Sequence, residues 1–320
     1  MNMSILIYTE HQEGKFKKNS LEAISYGVAF AAQKGIDAMA LVIGETSAPL
    51  PELGKYGVKK VYHVNTANIN ISDTKTMSGL IASVANQQNC DTLIFSNTLS
   101  AKGIAPRVAV RLKAGMVSGA VDLPENNNGF CVKKNVFSGK AVTEIKVLTS
   151  KIVITLNANA FEVNETGGSA EVITIDISAP ASTITVTGIN KTAGEIPLSE
   201  AEKVVSGGRG LKGPENWGMI EELASLLGAA TACSRPVSDA HWRPHHEHVG
   251  QTGLAISPNL YIAVGISGAI QHLAGVNRSK TIVVINKDPE APFFKAADYG
   301  IVGDAFEVMP KIIQAVKDLV

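Results

Sequence analysis

The sequence predicts an α/β protein of two domains, and three observations carry that prediction. Short apolar runs alternate with stretches whose apolar residues recur every three or four positions, as strands and helices of a parallel sheet do. The composition agrees: 45% hydrophobic residues, only 5% aromatic, and 29 glycines to punctuate turns. Finally, the polar stretch 187–203, with Gly and Pro, interrupts the alternation in a chain of 320 residues, enough for more than one core. Residues 1–190 are therefore predicted to form an N-terminal domain, a mixed sheet with helices on both faces. Residues 191–203 form the linker, and 204–320 a doubly wound parallel-sheet domain.

In the N-terminal block, 4–8 reads as a buried strand. Ser20 is the expected N-cap of a helix over 20–34, with Leu21, Ile24, Val28 and Ala31 on one face and Gly35 past its end. Strands are expected at 38–43, 61–64 and 92–96. Helices are expected at 74–89, with Met77, Leu80, Ile81 and Val84 inward, and at 101–113, carrying Arg107 and Arg111. From Gly115 the period shortens. Residues 117–123, 131–137, 141–148, 152–156 and 172–177 read as antiparallel strands extending the sheet, separated by turns such as Asn126-Asn127-Asn128-Gly129 and Ser138-Gly139.

The second block opens with a strand at 204–206, then a helix near 215–227 and a strand at 229–233. Next comes the most informative stretch: an apolar run 261–264, the turn Gly265-Ile266-Ser267-Gly268, a helical segment 269–274, and a second apolar run 281–285. A helix start after such a turn presents unpaired N–H groups and favours an anion. Gly265 and Gly268 would let backbone approach a ligand, with Ser267, Gln271 and His272 beside it. A strand at 299–302 and a helix over 305–319 close the chain.

Several function classes are disfavoured. The formal net charge is zero, so no basic surface points to nucleic acid. Cys90, Cys131 and Cys233 lie far apart without a CxxC, so neither a zinc site nor a disulfide framework is indicated. No apolar run is long enough for membrane insertion. The start, MNMSILIYTE, enters a strand without a targeting peptide, which makes the cytoplasm the expected compartment. His241, His245, His246 and His248 lack metal-ligand spacing, and Pro244 prevents a single helical face, so a solvated loop is expected.

Three motifs remain. Gly208-Arg209-Gly210-Leu211-Lys212-Gly213 matches the GxGxxG dinucleotide fingerprint, which would make the chain an NAD-dependent oxidoreductase using the Gly208–Gly213 turn. The following strand ends in Cys233-Ser234-Arg235, however, without the acidic residue that holds a ribose. The other reading is a tight turn whose Arg209 reaches a phosphate. Arg235 lies at a strand's carboxyl end and suits an anion clamp or a structural ion pair. Asn286 and Asp304 suit turn caps or contacts to an adenosine.

LYIAVGISGAIQHLAG followed by SKTIVVINKD closely resembles the signature of the electron-transferring flavoprotein alpha subunit. GGRG, SRP and VGQTG precede it in that family's order. The resemblance implies an FAD-binding domain at 204–320. Arg209, Ser234, Arg235, Val249, Gly250, Gln251, Thr252, Ser267, Gly268, Ala269, Ile270, Gln271, His272, Asn286, Asp304 and Ala305 occupy the family's FAD-contacting positions. It further implies a heterodimer with a beta subunit that carries AMP, packed on the N-terminal domain. Such a carrier moves single electrons from acyl-CoA dehydrogenases, in fatty acid beta-oxidation, to a quinone-linked oxidoreductase, with no substrate-converting site of its own. Arg235 and His272 would set positive charge or donors beside the flavin, where negative charge collects on reduction. The His-rich 241–248 loop departs from the family pattern.

Overall fold

The computed structural model describes residues 4–12, 14–65, 69–125, 129–177, 182, 184–188 and 196–319. The predicted turn at 126–128 and the 189–195 part of the predicted linker lie outside the described residues. The chain divides into two compact units, Met1–Asn135 with Val142–Asn190, and Val136–Ala141 with Lys191–Val320. Among the described residues no helix is long and apolar enough to cross a membrane.

The first unit runs β1 (Ser4–Tyr8), a small hairpin of β2 (His11–Gln12) and β3 (Lys15–Phe16), α1 (Lys18–Lys34), β4 (Asp37–Ile43), β5 (Lys60–Val64), α2 (Thr74–Gln87), β6 (Cys90–Ser96) and α3 (Leu99–Leu112). It continues with β7 (Gly115–Ala120), β8 (Cys131–Val136), β9 (Ala141–Lys146), β10 (Ile152–Leu156) and β11 (Glu171–Thr174). These strands build a mixed nine-stranded sheet in the order β11-β5-β4-β1-β6-β10-β7-β8-β9. Every residue of β1 is buried, because parallel neighbours flank it and helices cover both faces. On one side α1 contributes Ile24, Tyr26 and Phe30 to the core. On the other, α2 and α3 supply Met77, Leu80, Ile81, Val84, Ile104 and Val108.

Two expectations fail here for identifiable reasons. Ser20 is not an N-cap: α1 starts at Lys18 after an extended Lys17, and the Ser20 hydroxyl, inside the helix, donates to the Glu10 carbonyl at 2.9 Å. Gly35 does end that helix, at φ 63°, its N–H bonded back to Ala31 and Ala32. Nor do all the later strands join the antiparallel extension. The strand β10 inserts between β6 and β7, parallel to both, while β11 crosses to the far edge and pairs parallel with β5. The β7–β8 pairing keeps the expected antiparallel sense, and β9 follows β8 at the edge of the sheet, so these strands extend it as expected. All five residues of β10 are buried, as an inner strand requires, whereas β9 carries the charged, part-exposed alternation of a border strand.

The second unit runs β12 (Lys203–Gly207), α4 (Gly218–Leu227), β13 (Ala230–Cys233), α5 (Arg235–Asp239), β14 (Leu260–Val264), α6 (Ile270–Val276), β15 (Thr281–Asn286), β16 (Tyr299–Val302) and α7 (Ala305–Leu319). Its five strands lie in the order β13-β12-β14-β15-β16, all parallel. On one face α4 and α7 pack Ile220, Leu223, Met309 and Ile313 onto Val205, Val264 and Ile285. On the other, Val276 of α6 and Phe293 cover Val204, Tyr261, Ala263 and Val284. The chain reverses its direction of travel across the sheet between β12 and β14. In open α/β sheets that reversal opens a crevice beyond the strands' carboxyl ends.

Replacing the buried Ile154 tests the inner position of β10, since it faces Ile94 of β6 and Val117 of β7 in register. Ile154→Ala is expected to cost about 2–5 kcal/mol in denaturant unfolding. A loss of only about 0.5 kcal/mol would place β10 at a surface instead.

Candidate functional site

At the crevice of the second unit, β12, β13, β14 and β15 end side by side, and the segments after them enclose a cavity of about 490 Å³. Its floor depends on a clasp of glycines. The Gly208 amide donates to the Val264 carbonyl at 2.9 Å, and the Gly210 amide to Gly265 at 3.0 Å. A Cβ on Gly208 would stand 2.2 Å from the Gly265 oxygen, and one on Gly210 2.7 Å from the Gly265 Cα. Across the cavity, Gly250 crosses Gly275 as closely, and the Gln251 amide donates to the Gln271 carbonyl at 2.7 Å.

After β14 the backbone amides of Ser267, Gly268, Ala269, Ile270 and Gln271 have no acceptor among the described residues. They form a run of free donors where α6 begins, beside Arg209 and Arg235 at the cavity lining. Arg209 is exposed, and Arg235 makes only an exposed pair with Asp239 at 3.3 Å. Such a pair contributes little and leaves the guanidinium available to an anion.

Deeper in, His272 is buried, and its Nε2 shares a hydrogen bond of 2.8 Å with the Tyr261 hydroxyl. Among the described residues its Nδ1 has no hydrogen-bond partner, although the nearby Val249 backbone favours the charged ring. Burial, reinforced by His248, pushes the His272 imidazole down to about 4, so it is neutral at physiological pH. Burial raises the Tyr261 phenol, which stays protonated. The cleft thus combines fixed cations at its mouth with neutral donors and acceptors inside.

Of the sixteen residues singled out from the sequence, twelve line this cavity: Arg209, Ser234, Arg235, Val249, Gly250, Gln251, Thr252, Ser267, Ala269, Gln271, His272 and Asn286. Gly268, Ile270, Asp304 and Ala305 do not. Gly268 takes φ 81° with its Cα face against Phe293, and Ile270 points outward from the first turn of α6. Asp304 caps α7 by accepting from the Phe306 amide, a bond that holds its carboxyl below the usual range with help from Lys212 at 3.6 Å. Ala305 is buried at the start of that helix. Asn286 also serves its own turn, donating to the Ile266 carbonyl and accepting from the Asp288 amide.

A Cβ at Gly265 would meet Gly210 and one at Gly268 would meet Phe293, so close protein packing requires both glycines, and Gly265 lines the cavity as well. Two expectations are corrected. The Gly208–Gly213 stretch is not the dinucleotide fingerprint. Short 3₁₀ turns follow β12, and α4 begins only at Gly218, so no helix start faces a pyrophosphate there. Of the histidines expected in a solvated loop, His241, His245 and His246 are exposed, but His248 is buried and lines the cavity. It is drawn in by a parallel bridge to Cys233, a contact distant in sequence. Gly210, Pro236, Ile266, Asp288 and Ala291 also line the cavity and were not singled out. Only adjacency to marked residues could have flagged them. Among the described residues no cluster could hold a metal ion.

Comparison with known proteins places this geometry. The model of the electron transfer flavoprotein domain matches residues 5–180, and that of the electron transfer flavoprotein FAD-binding domain matches 197–277. The electron transfer flavoprotein subunit alpha of Bacillus subtilis (strain 168) is 37% identical over 323 residues, covering 100% of this chain and 99% of its own. That of Mycobacterium leprae (strain TN) is 37% identical, covering 98% of each. Protein FixB of Clostridium saccharobutylicum is 32% identical, covering 99% of this chain and 97% of its own. The chain belongs to the electron transfer flavoprotein alpha-subunit family. Members carry electrons and are not substrate-converting enzymes.

The cleft suits the cofactor of that family. Five free amides and two guanidiniums match a diphosphate, and the buried, unpartnered Nδ1 of His272 matches a polar aromatic ring. The FAD-binding model spans β12 to α6, the elements from which most of the electron transfer flavoprotein cleft is built.

Gly208→Ala forces the clasp apart and is expected to cost about 1–3 kcal/mol in denaturant unfolding. Wild-type stability in that variant would show that the two turns part freely. The depressed His272 makes a second prediction. Between pH 6.5 and about 4 the unfolded ring binds a proton that the folded ring refuses, so stability is complete above 6.5 and falls as the pH drops. The loss reaches up to about 3 kcal/mol in urea titrations of the flavin-free chain, and His272→Gln should remove most of that slope.

Proposed function

We propose that this chain is the FAD-holding subunit of a two-subunit electron carrier. It takes electrons one at a time from acyl-CoA-type dehydrogenases and passes them to a quinone-linked oxidoreductase. The observation that carries the reading is the meeting of the free amides of Ser267, Ala269 and Gln271 with Arg209 and Arg235 at one cavity in a member of this family. Bound FAD supplies reversible one- and two-electron exchange, chemistry that side chains cannot provide. The chain's own residues do the rest. Amides of Ser267 to Gln271 and the Arg209 guanidinium hold the diphosphate, while the 249–252 turn and His272 line the ring end. Arg235, more than half exposed and weakly paired, holds positive charge where reduction brings negative charge. Asn286 also lines the cavity, and Asp304 lies outside the lining with its carboxylate committed to α7.

We assign the N-terminal domain, residues 1–190, to packing against a beta subunit, with AMP held by that partner. The 191–203 stretch then joins it to the FAD-binding domain at 204–320.

Flavin and AMP content of the co-expressed two-subunit complex tests the proposal: one of each per complex is expected, and a colourless complex sinks it. In the loaded complex, Arg235→Ala is expected to lower the one-electron midpoint potential by roughly 60 mV, equivalent to about 1.4 kcal/mol. An unchanged potential would remove Arg235 from the neighbourhood of the ring.

A further inference from the structure

The conspicuous surplus in the cleft is a second imidazole. His248 is only 3% exposed and lines the same cavity as Arg235 and His272. Its position is built rather than incidental. The His248 carbonyl accepts from the Leu254 amide at 2.9 Å, and its backbone bridges to Cys233 at the end of β13. Two glycines make room for the ring: a Cβ on Gly253 would stand 2.8 Å from Nδ1, and one on Gly250 3.4 Å from Nε2. The exposed His245 ring packs edge-on against it, centroids 5.5 Å apart, so His248 lies one aromatic layer from water.

Resting on the FAD reading above, we propose that His248 is the proton-accepting residue of this cleft, taking up a proton from solvent when an electron arrives on the bound flavin. The electron comes from a reduced partner flavoprotein and remains on the cofactor. The proton comes from water and adds to the neutral imidazole of His248, and no bond to the flavin forms or breaks. Negative charge in the cleft is then met by positive charge held beside it.

The surrounding groups single out His248. Arg209 and Arg235 are permanently charged and cannot respond. Tyr261 stays protonated, and His272 is tied to it at Nε2. On α5, Asp239 favours a charged His248 and Arg235 opposes it; on its own turn, His245 opposes it, and Glu247 is held by Arg243. Burial outweighs Asp239, so the ring is biased toward neutrality until a new negative charge appears.

The test is the one-electron midpoint potential of the flavin-loaded two-subunit complex against pH, with flavin content measured on the same samples. Wild type is expected to lose potential as pH rises from about 6 to 8, approaching 59 mV per tenfold fall in proton concentration. His248→Gln should keep its flavin and lose at least half of that slope, while His272→Gln keeps the slope. A wild-type slope in loaded His248→Gln, or a flat wild-type profile, overturns the assignment and leaves the FAD reading standing. A wild-type complex without flavin overturns both.

Discussion

The close crossing of two turns, Gly208 and Gly210 against Gly265, is the contact on which the cleft depends. Two backbone hydrogen bonds of 2.9 and 3.0 Å tie the carboxyl ends of β12 and β14 together at the point where the sheet reverses its winding. With no side chain between them, the turn after β14 is held low, and Gly268, at φ 81°, redirects the chain past Phe293. The amides of 267–271 are thereby left without partners beside a cavity. Donors left free at a helix start in this way can meet a ligand that accepts hydrogen bonds.

Charge is arranged by depth. Cations stand at the mouth, where water reduces the cost of holding them, and the interior carries neutral imidazoles and a protonated phenol. A carrier needs that order. Permanent charge inside would bias the cofactor to one redox state, whereas neutral polarizable groups leave both states accessible.

The first unit shows how far periodicity carries. Buried parallel strands announce themselves as short apolar runs, and 4–8, 38–43, 92–96 and 152–156 were all legible in that way. The partners of those strands were not legible. Residues 152–156 read as the next strand in sequence, yet the chain threads them back between β6 and β7, because only there are both faces of IVITL covered. The Ser20 cap failed for a related reason: its hydroxyl found the Glu10 carbonyl, a partner that local propensity cannot foresee.

By itself the sequence determined the element types, the two-block organisation and the family, since all three are written in local pattern and in the ordered motif from Leu260 to Asp288. It also named most of the cleft, because Arg209, Ser234 and Ser267 each follow a strand whose end must face the crevice of a parallel sheet. Tertiary structure alone decided which glycines serve the protein and which chain ends close the cavity. It also decided that His248, one of four histidines in a polar loop, is buried while His241, His245 and His246 stay exposed. The reason is physical: burial and charge at a site are sums over groups distant in sequence, and those sums exist only once the chain has closed.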